Sequence, residues 1–440
     1  MRKFLLPLVL VLVAFQVNAQ RKLAEAQAAV EKAKAVVENP KKASDPKSWL
    51  KLANAYLTYY NAPLKSTGVY VGAPQAEVKL FLKDQQVLSS KEATVAGANY
   101  YVDCYADKEL YYDANGTLTF YKVIGAQIEN PLKDALNAAS KAQELDAKGA
   151  IAKDLKPLLE NIKQEFFNEG LNQYRQGDYK AATANFENVI PIGKNPLVNT
   201  VDTVAMYYGA ITANLSSQPE KAMALLKDCI SAGYEQEGAV YAQLANCYKA
   251  QKDTAACKET LASAFQKFPT NQEVLVSLIN VYMESNDDPS KVLDYIHAAQ
   301  ANEPTNASLY LAEGNVNSKL NNLEAALASY KKSTEVDPEY VFGYLYTGIT
   351  NYNMAVAIQE KANMEVDDKK YEALLADLEN ALKAGIAPFE TAFEKAQDKD
   401  LKKYSAEYLK NIFFRYRDKN DEYKAKYEKY EKYVKSCEEN

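Results

Sequence analysis

One register recurs along this chain and limits what it can fold into. Between residues 168 and 190, Gly170 is followed by Tyr174, a Gly177-Asp178-Tyr179 turn, Ala182 and Phe186. The register returns as Tyr241, Leu244, Ala245, Tyr248, Leu261 and Ala264 ahead of Pro269. It returns again as Tyr310, Gly314, Asn322-Leu323, Ala326 and Tyr330 ahead of Pro338. Those two prolines are 69 residues apart, close to two periods of about 34. Leu275, Leu278, Tyr282 and Pro304 mark the unit between them, and Gly209, Ala222 and Leu226 mark another upstream. Small residues on one helix let a second approach closely, and aromatics fill the space between. A unit of this size buries its apolar face only against its neighbours, so the pattern predicts a stack of helix pairs.

These residues and spacings resemble the tetratricopeptide-repeat family from about 163 to 340. The resemblance implies an all-α solenoid, a superhelical stack of helix hairpins, with its first helices lining a concave groove. The array extends both ways. "GYLYTGITNYNMAVAIQEKAN" starts a further unit at about 341, and "APFETAFEKAQDKD" at 387 reads as the end of its second helix, so this repeat is lengthened. The Tyr- and Lys-rich segment from 401 reads as a polar helical cap, which a terminal repeat needs for a soluble outer face. Upstream, Trp49, Leu52, Ala53 and Tyr56 match a first repeat helix, but the partner pattern of Ala135, Ala139 and Ala142 comes about 70 residues too late for the usual short turn.

The intervening segment is of a different kind. "ELYYDANGTLTFYKV", 109–123, alternates, turns at Asn115-Gly116 and alternates again. Asn-Gly there signals a β-hairpin through a type I′ turn. That register places Leu110, Tyr112, Thr119 and Tyr121 on one face and Tyr111, Leu118 and Phe120 on the other. "QAEVKLFLKD" reads as a short helix and "ANYYVDCYAD" as a further strand, so a three-stranded sheet on a helix is expected. The organisation is therefore a signal peptide over 1–19 and N-terminal helices over 20–61, including the first helix of repeat 1. An α+β insertion follows over 62–130, the repeat array over 131–340, and the lengthened repeat and cap over 341–440.

The signal is read from basic "MRK", apolar "FLLPLVLVLVAF" and "VNA", with cleavage after Ala19. Cleavage leaves 50 basic residues against 58 acidic ones, which argues against a nucleic-acid surface. No later stretch is apolar and long enough to span a bilayer, so the mature chain is expected to be exported, periplasmic or at an outer surface. An odd number of cysteines at irregular spacing is no disulfide framework. Cys229, Cys247 and Cys257 read as small buried thiols, with Cys247–Cys257 the pair to consider if their helices adjoin.

Chemistry is sparse. The sequence carries no nucleotide loop and no HExxH, GxSxG or CxxC. The single histidine, His297, sits on a second repeat helix and reads as a packed or surface residue. Asp287-Asp288 and Asp367-Asp368 read as caps and turns. No catalytic residue, metal or cofactor is expected, and the chain reads as a non-enzyme. One position beside the small residue of the first helix carries Asn four times, as Asn54, Asn246, Asn280 and Asn315. An amide that donates and accepts at once suits an extended peptide backbone. The same residue could equally satisfy its own helix. Some relatives in the family grip a terminal carboxylate with cations around such an Asn; the residues four before each are Leu50, Ala242, Val276 and Leu311, so that cationic half is missing. Tyr111 and Phe120 on the hairpin are candidate aromatic anchors. The reading is an exported scaffold or adaptor of the bacterial envelope, with protein or peptide partners bound through the groove and the insertion. The alternative is an envelope glycan-binding protein using exposed tyrosines.

Overall fold

The structure is a computed structural model that describes residues 5–285 and 291–438. The first four residues of the expected signal and the Asp287-Asp288 pair lie outside the described residues. The chain divides into two compact units, Met1–Glu235 and Gln236–Asn440.

In the first unit a long helix α1 (Leu5–Glu38) packs on α2 (Pro46–Asn61), which packs on α4 (Pro131–Leu145). Two more hairpins follow, α5 (Ala152–Gln176) with α6 (Tyr179–Gly193) and α7 (Thr203–Leu215) with α8 (Pro219–Ser231). The turns are built as the sequence requires. Gly177 ends α5 at φ 78°, where a side chain would be strained, and the Asp178 carboxylate accepts from the Ala181 amide to start α6. Gly170 of α5 faces Phe186 of α6 so closely that a Cβ would sit 2.8 Å from the ring. Phe186 is fully buried in a core that runs from Ala26 of α1 to Ala205 of α7. The described α1 side chains in that core are Leu23, Ala26, Val30, Ala33 and Val37.

The insertion lies between the paired helices α2 and α4. It holds a short helix α3 (Gln75–Phe81) and four strands, β1 (Ser89–Val95), β2 (Ala98–Cys104), β3 (Lys108–Tyr112) and β4 (Leu118–Val123), in antiparallel order β1-β2-β3-β4. The sheet therefore has four strands where three are expected. β1, "SSKEATV", is exposed at five of its seven positions, and only Ala93 and Val95 are half-buried, too short an apolar alternation to announce it.

The hairpin turn also differs from the sequence reading. Only Gly116 takes positive φ, at 73°, so the turn is not type I′. Asp113 organises it instead: its carboxylate accepts from the Asn115 and Thr117 amides at 2.9 Å each, and its carbonyl accepts from the Gly116 amide. This is a three-residue loop ending in a left-handed glycine. Tyr112 then pairs with Leu118 while Tyr111 pairs with Phe120, so Thr119 is an extra residue, a β-bulge. The bulge turns Leu118 onto the face of Leu110 and Tyr112, which packs with Val69, Val78 and Leu82. It does not share a face with Tyr111 and Phe120.

In the second unit the pairs are α9 (Ala239–Ala250) with α10 (Thr254–Lys267), α11 (Gln272–Glu284) with α12 (Lys291–Asn302), and α13 (Ala307–Lys319) with α14 (Leu323–Val336). These are followed by α15 (Val341–Ala362) with α16 (Asp368–Lys395) and α17 (Lys399–Tyr416) with α18 (Asp421–Glu438). Asp253, Asn271, Asn306 and Asp367 each cap the helix they precede with a side-chain oxygen. Gly314 lies against Tyr330, sixteen positions on, as Gly170 lies against Phe186. Gly348 lies against Phe389 instead, forty-one positions on, where a Cβ would be 2.7 Å from the ring. The same notch is kept while α15 and α16 grow to 22 and 28 residues.

Candidate functional site

Two sets of residues bear on binding, one in each unit. In the second unit α9, α11 and α13 are neighbours, and they carry Asn246, Asn280 and Asn315. Asn246 and Asn280 are exposed, and neither amide has a hydrogen-bond partner among the described residues. Asn315 is half-buried and accepts from the Tyr330 hydroxyl at 3.0 Å. Asn54 belongs to the first unit; it is exposed but donates back to the Leu50 carbonyl of its own helix at 2.9 Å. The four asparagines are thus chemically unlike: two are free, one supports a buried tyrosine and one is spent on its helix.

The hairpin anchors are corrected by the structure. Tyr111 and Phe120 are buried, stacked on each other at 4.3 Å between ring centroids, with Tyr100 edge-on to both. Val102 completes this small core, and Ala93 and Val95 of β1 pack against it. A fourth strand supplies the cover that a three-stranded sheet would lack.

What the sequence reading missed is the junction between the insertion and α5. β4 is an edge strand, and its outer edge is covered by side chains of α5. Asn172 accepts from the Tyr121 amide at 3.1 Å and donates to the Tyr121 carbonyl at 3.2 Å, and Gln176 donates to the same carbonyl at 3.1 Å. Arg175 donates to the carbonyl of the bulged Thr119 at 3.3 Å. Glu169 accepts from the Tyr60 hydroxyl at 2.9 Å and from Gln173 at 3.1 Å. Burial pushes the Glu169 carboxyl above its ordinary value, and these donors hold it back only in part. Burial likewise raises the Tyr60 phenol well above its usual range.

Two cavities flank Tyr60 and Tyr121. One, of about 410 Å³, is lined by Tyr59, Tyr121, Glu129, Glu169 and Gln173 among others. The other, of about 340 Å³, is lined by Lys65, Glu165, Asn168 and Arg175 with apolar Leu64, Val69, Val71 and Leu171. The polar positions of α5 recur at helical spacing from Glu165 to Gln176, which in sequence reads as a solvated face. The only signal against that reading is the insertion itself, which has to dock on something.

Elsewhere, His297 is half-exposed and 3.1 Å from Glu313. Cys229, Cys247 and Cys257 are buried and free, and burial raises the thiol of each. Among the described residues no group of three or more His, Cys, Asp or Glu could hold a metal ion, and no helix is long and apolar enough to cross a membrane.

Residues 307–340, which span α13 and α14, match the model of the tetratricopeptide repeat. No match is found among curated protein sequences. Among solved structures, YrrB, described as a TPR protein with an unusual peptide-binding site, is 14% identical, covering 40% of this chain and 88% of its own, at a TM-score of 0.31. The C-terminal part of a TPR repeat-containing protein from Cytophaga hutchinsonii is 14% identical over 61% of this chain and 93% of its own, at 0.40. MamA is 16% identical over 42% and 93%, at 0.30. Likeness this distant carries no partner or activity across. The chain thus carries a tetratricopeptide repeat over α13 and α14, and the same glycine-on-aromatic notch recurs in helix pairs outside it.

Proposed function

We propose that the chain is an exported, non-catalytic scaffold or adaptor of the bacterial envelope that binds protein partners in extended form. The observation that carries this is the pair of free amides at Asn246 and Asn280. They occupy one position on neighbouring first helices, α9 and α11, exposed and without a hydrogen-bond partner among the described residues. Each can donate to one peptide group and accept from another, which is the pattern a backbone offers. For the glycan alternative, Tyr111 and Tyr112 of the hairpin are buried, which leaves Tyr70 and Tyr101 as the exposed tyrosines of the insertion.

Replacing Asn246 and Asn280 together by Ala should leave the melting temperature almost unchanged, because exposed, unbonded groups cost within about 0.5 kcal/mol each. Affinity capture from envelope extract should lose, in the double variant, a protein that the wild type retains in stoichiometric amount. Capture that is equal for both chains would remove the asparagine pair from the binding surface. Adding Asn315→Ala should lower the melting temperature, since the Tyr330 hydroxyl then loses its acceptor, at about 1 kcal/mol.

Export is supported by the ordered basic, apolar and small-residue segments of the N-terminus. Cleavage after Ala19 would keep every described α1 side chain of the core in the mature protein. N-terminal analysis of that protein should begin at Gln20; a mature chain starting at Met1 would exclude export through this signal.

A further inference from the structure

The smaller cavity at the junction carries an unbalanced charge. Lys65 is ion-paired with Glu165, and Asn168 donates to the same carboxylate, so that pair is closed on itself. Arg175 is different. Its guanidinium donates to the Thr119 carbonyl and has no carboxylate partner among the described residues. A neutral carbonyl fixes the orientation of the group but does not offset its charge. An arginine has five N–H donors in a rigid fork matched to a carboxylate, so most of Arg175's capacity is unspent.

The remaining wall sets the rest of the ligand. Leu64, Val69, Val71 and Leu171 line the same cavity, whose volume of about 340 Å³ lies at the small end of the range for ligand sites. An inorganic anion would leave these walls facing water, whereas an apolar body attached to an anion would cover them. The cation count of the lining exceeds the acid count by one, so a single negative charge is matched and two are not.

We propose that this cavity binds an organic monocarboxylate with a small apolar body, gripped by Arg175. Two sources share that chemistry: a free branched-chain acid, or the C-terminal residue of a peptide. The bulge at Thr119 is what fits the site to this task, because it exposes the carbonyl that holds the guanidinium in place. The site lies in the first unit and does not depend on the asparagine pair of the second.

The test is calorimetric titration of the full chain with four probes: 4-methylpentanoate, its primary amide, acetyl-Gly-Gly-Leu with a free carboxyl end, and the same peptide amidated. The acid should bind at least about tenfold more tightly than its amide, since the charge-assisted pair is lost in the amide. If the free peptide binds as well as or better than 4-methylpentanoate, a chain end is the source; if only the small acid binds, a free metabolite is. Arg175→Gln should lose the acid–amide difference, while Arg175→Lys, which keeps the charge, should retain part of it. The acid–amide comparison is made on the wild-type chain and so does not depend on how a variant folds. Equal binding of acid and amide, no binding of any probe, or an unchanged preference in a folded Arg175→Gln chain would overturn the proposal.

Discussion

Replacing Phe186 by alanine is expected to cost the first unit about 3–5 kcal/mol, the range for removing a fully buried aromatic ring. The ring is 0% exposed. It stacks on Tyr208 at 5.8 Å, meets Phe167 edge-on at 5.6 Å and fills the notch left by Gly170. These contacts join α5 and α6 to α7, so the cavity would open where one helix pair meets the next and collapse could heal little of it. Urea unfolding followed by far-UV circular dichroism should show the first transition moving to lower denaturant. The converse substitution, Gly170→Ala, gains about 1 kcal/mol of helix propensity but drives a Cβ into the ring, and overpacking costs about 1–3 kcal/mol. Gly170→Ala with Phe186→Leu should therefore be less damaging than the two single effects added together. Additive losses, or a Phe186→Ala cost under about 1 kcal/mol, would show that the ring does not hold the two helices together.

The same contact explains why the repeats can be read from sequence. Side-chain size at a fixed interval is a packing instruction: Gly170 with Phe186, and Gly314 with Tyr330, are sixteen residues apart because two short helices and a tight turn bring those positions together. The hairpin could be read for a similar reason, since alternation and a turn glycine are local. The bulge could not. It depends on the Asp113 carboxylate closing a three-residue loop and on Arg175, 56 positions away, taking the carbonyl of Thr119. β1 could not be read either, because most of its residues are polar and only Ala93 and Val95 face the sheet core. For the candidate sites, the position of the asparagines was visible but their chemistry was not: whether an amide is free or spent depends on neighbours such as Tyr330. Tyr111 and Phe120 read as candidate anchors because the polar strand that covers them does not announce itself in the sequence. The α5 junction stayed hidden because a polar stripe that docks an edge strand has the same composition as one that faces water.

That stripe supports the other large effect. Replacing Asn172 by alanine should destabilise the docking of the insertion by about 2–3 kcal/mol, because a buried backbone group left without a partner costs about 1–3 kcal/mol. Asn172 is 4% exposed and meets both polar groups of Tyr121. In the variant Gln176 still serves the carbonyl, but the Tyr121 amide loses its acceptor. The loss should therefore appear at that amide, as a fall in hydrogen-exchange protection along β4. The helical circular dichroism should stay intact, since the sheet cores around Leu110 and around Phe120 are separate from the helical core. Asn172→Asp tests the electrostatics. It keeps an acceptor for the amide, but its carboxylate would face the Tyr121 carbonyl and lie beside Glu169, which Asn172 now approaches at 3.4 Å. Both carboxyls would then be held above their ordinary values, Glu169 through burial and the new group through burial and repulsion. A carboxyl whose folded value is raised is destabilising once pH rises above its unfolded value, and the penalty is complete above its folded value. Asn172→Asp should thus be worse than Asn172→Ala at neutral pH and recover as the pH falls towards and below the ordinary carboxyl range. Unchanged exchange at Tyr121 in the alanine variant would transfer the docking role to Gln176 and Arg175, and an acid-insensitive aspartate variant would mean that water reaches this junction.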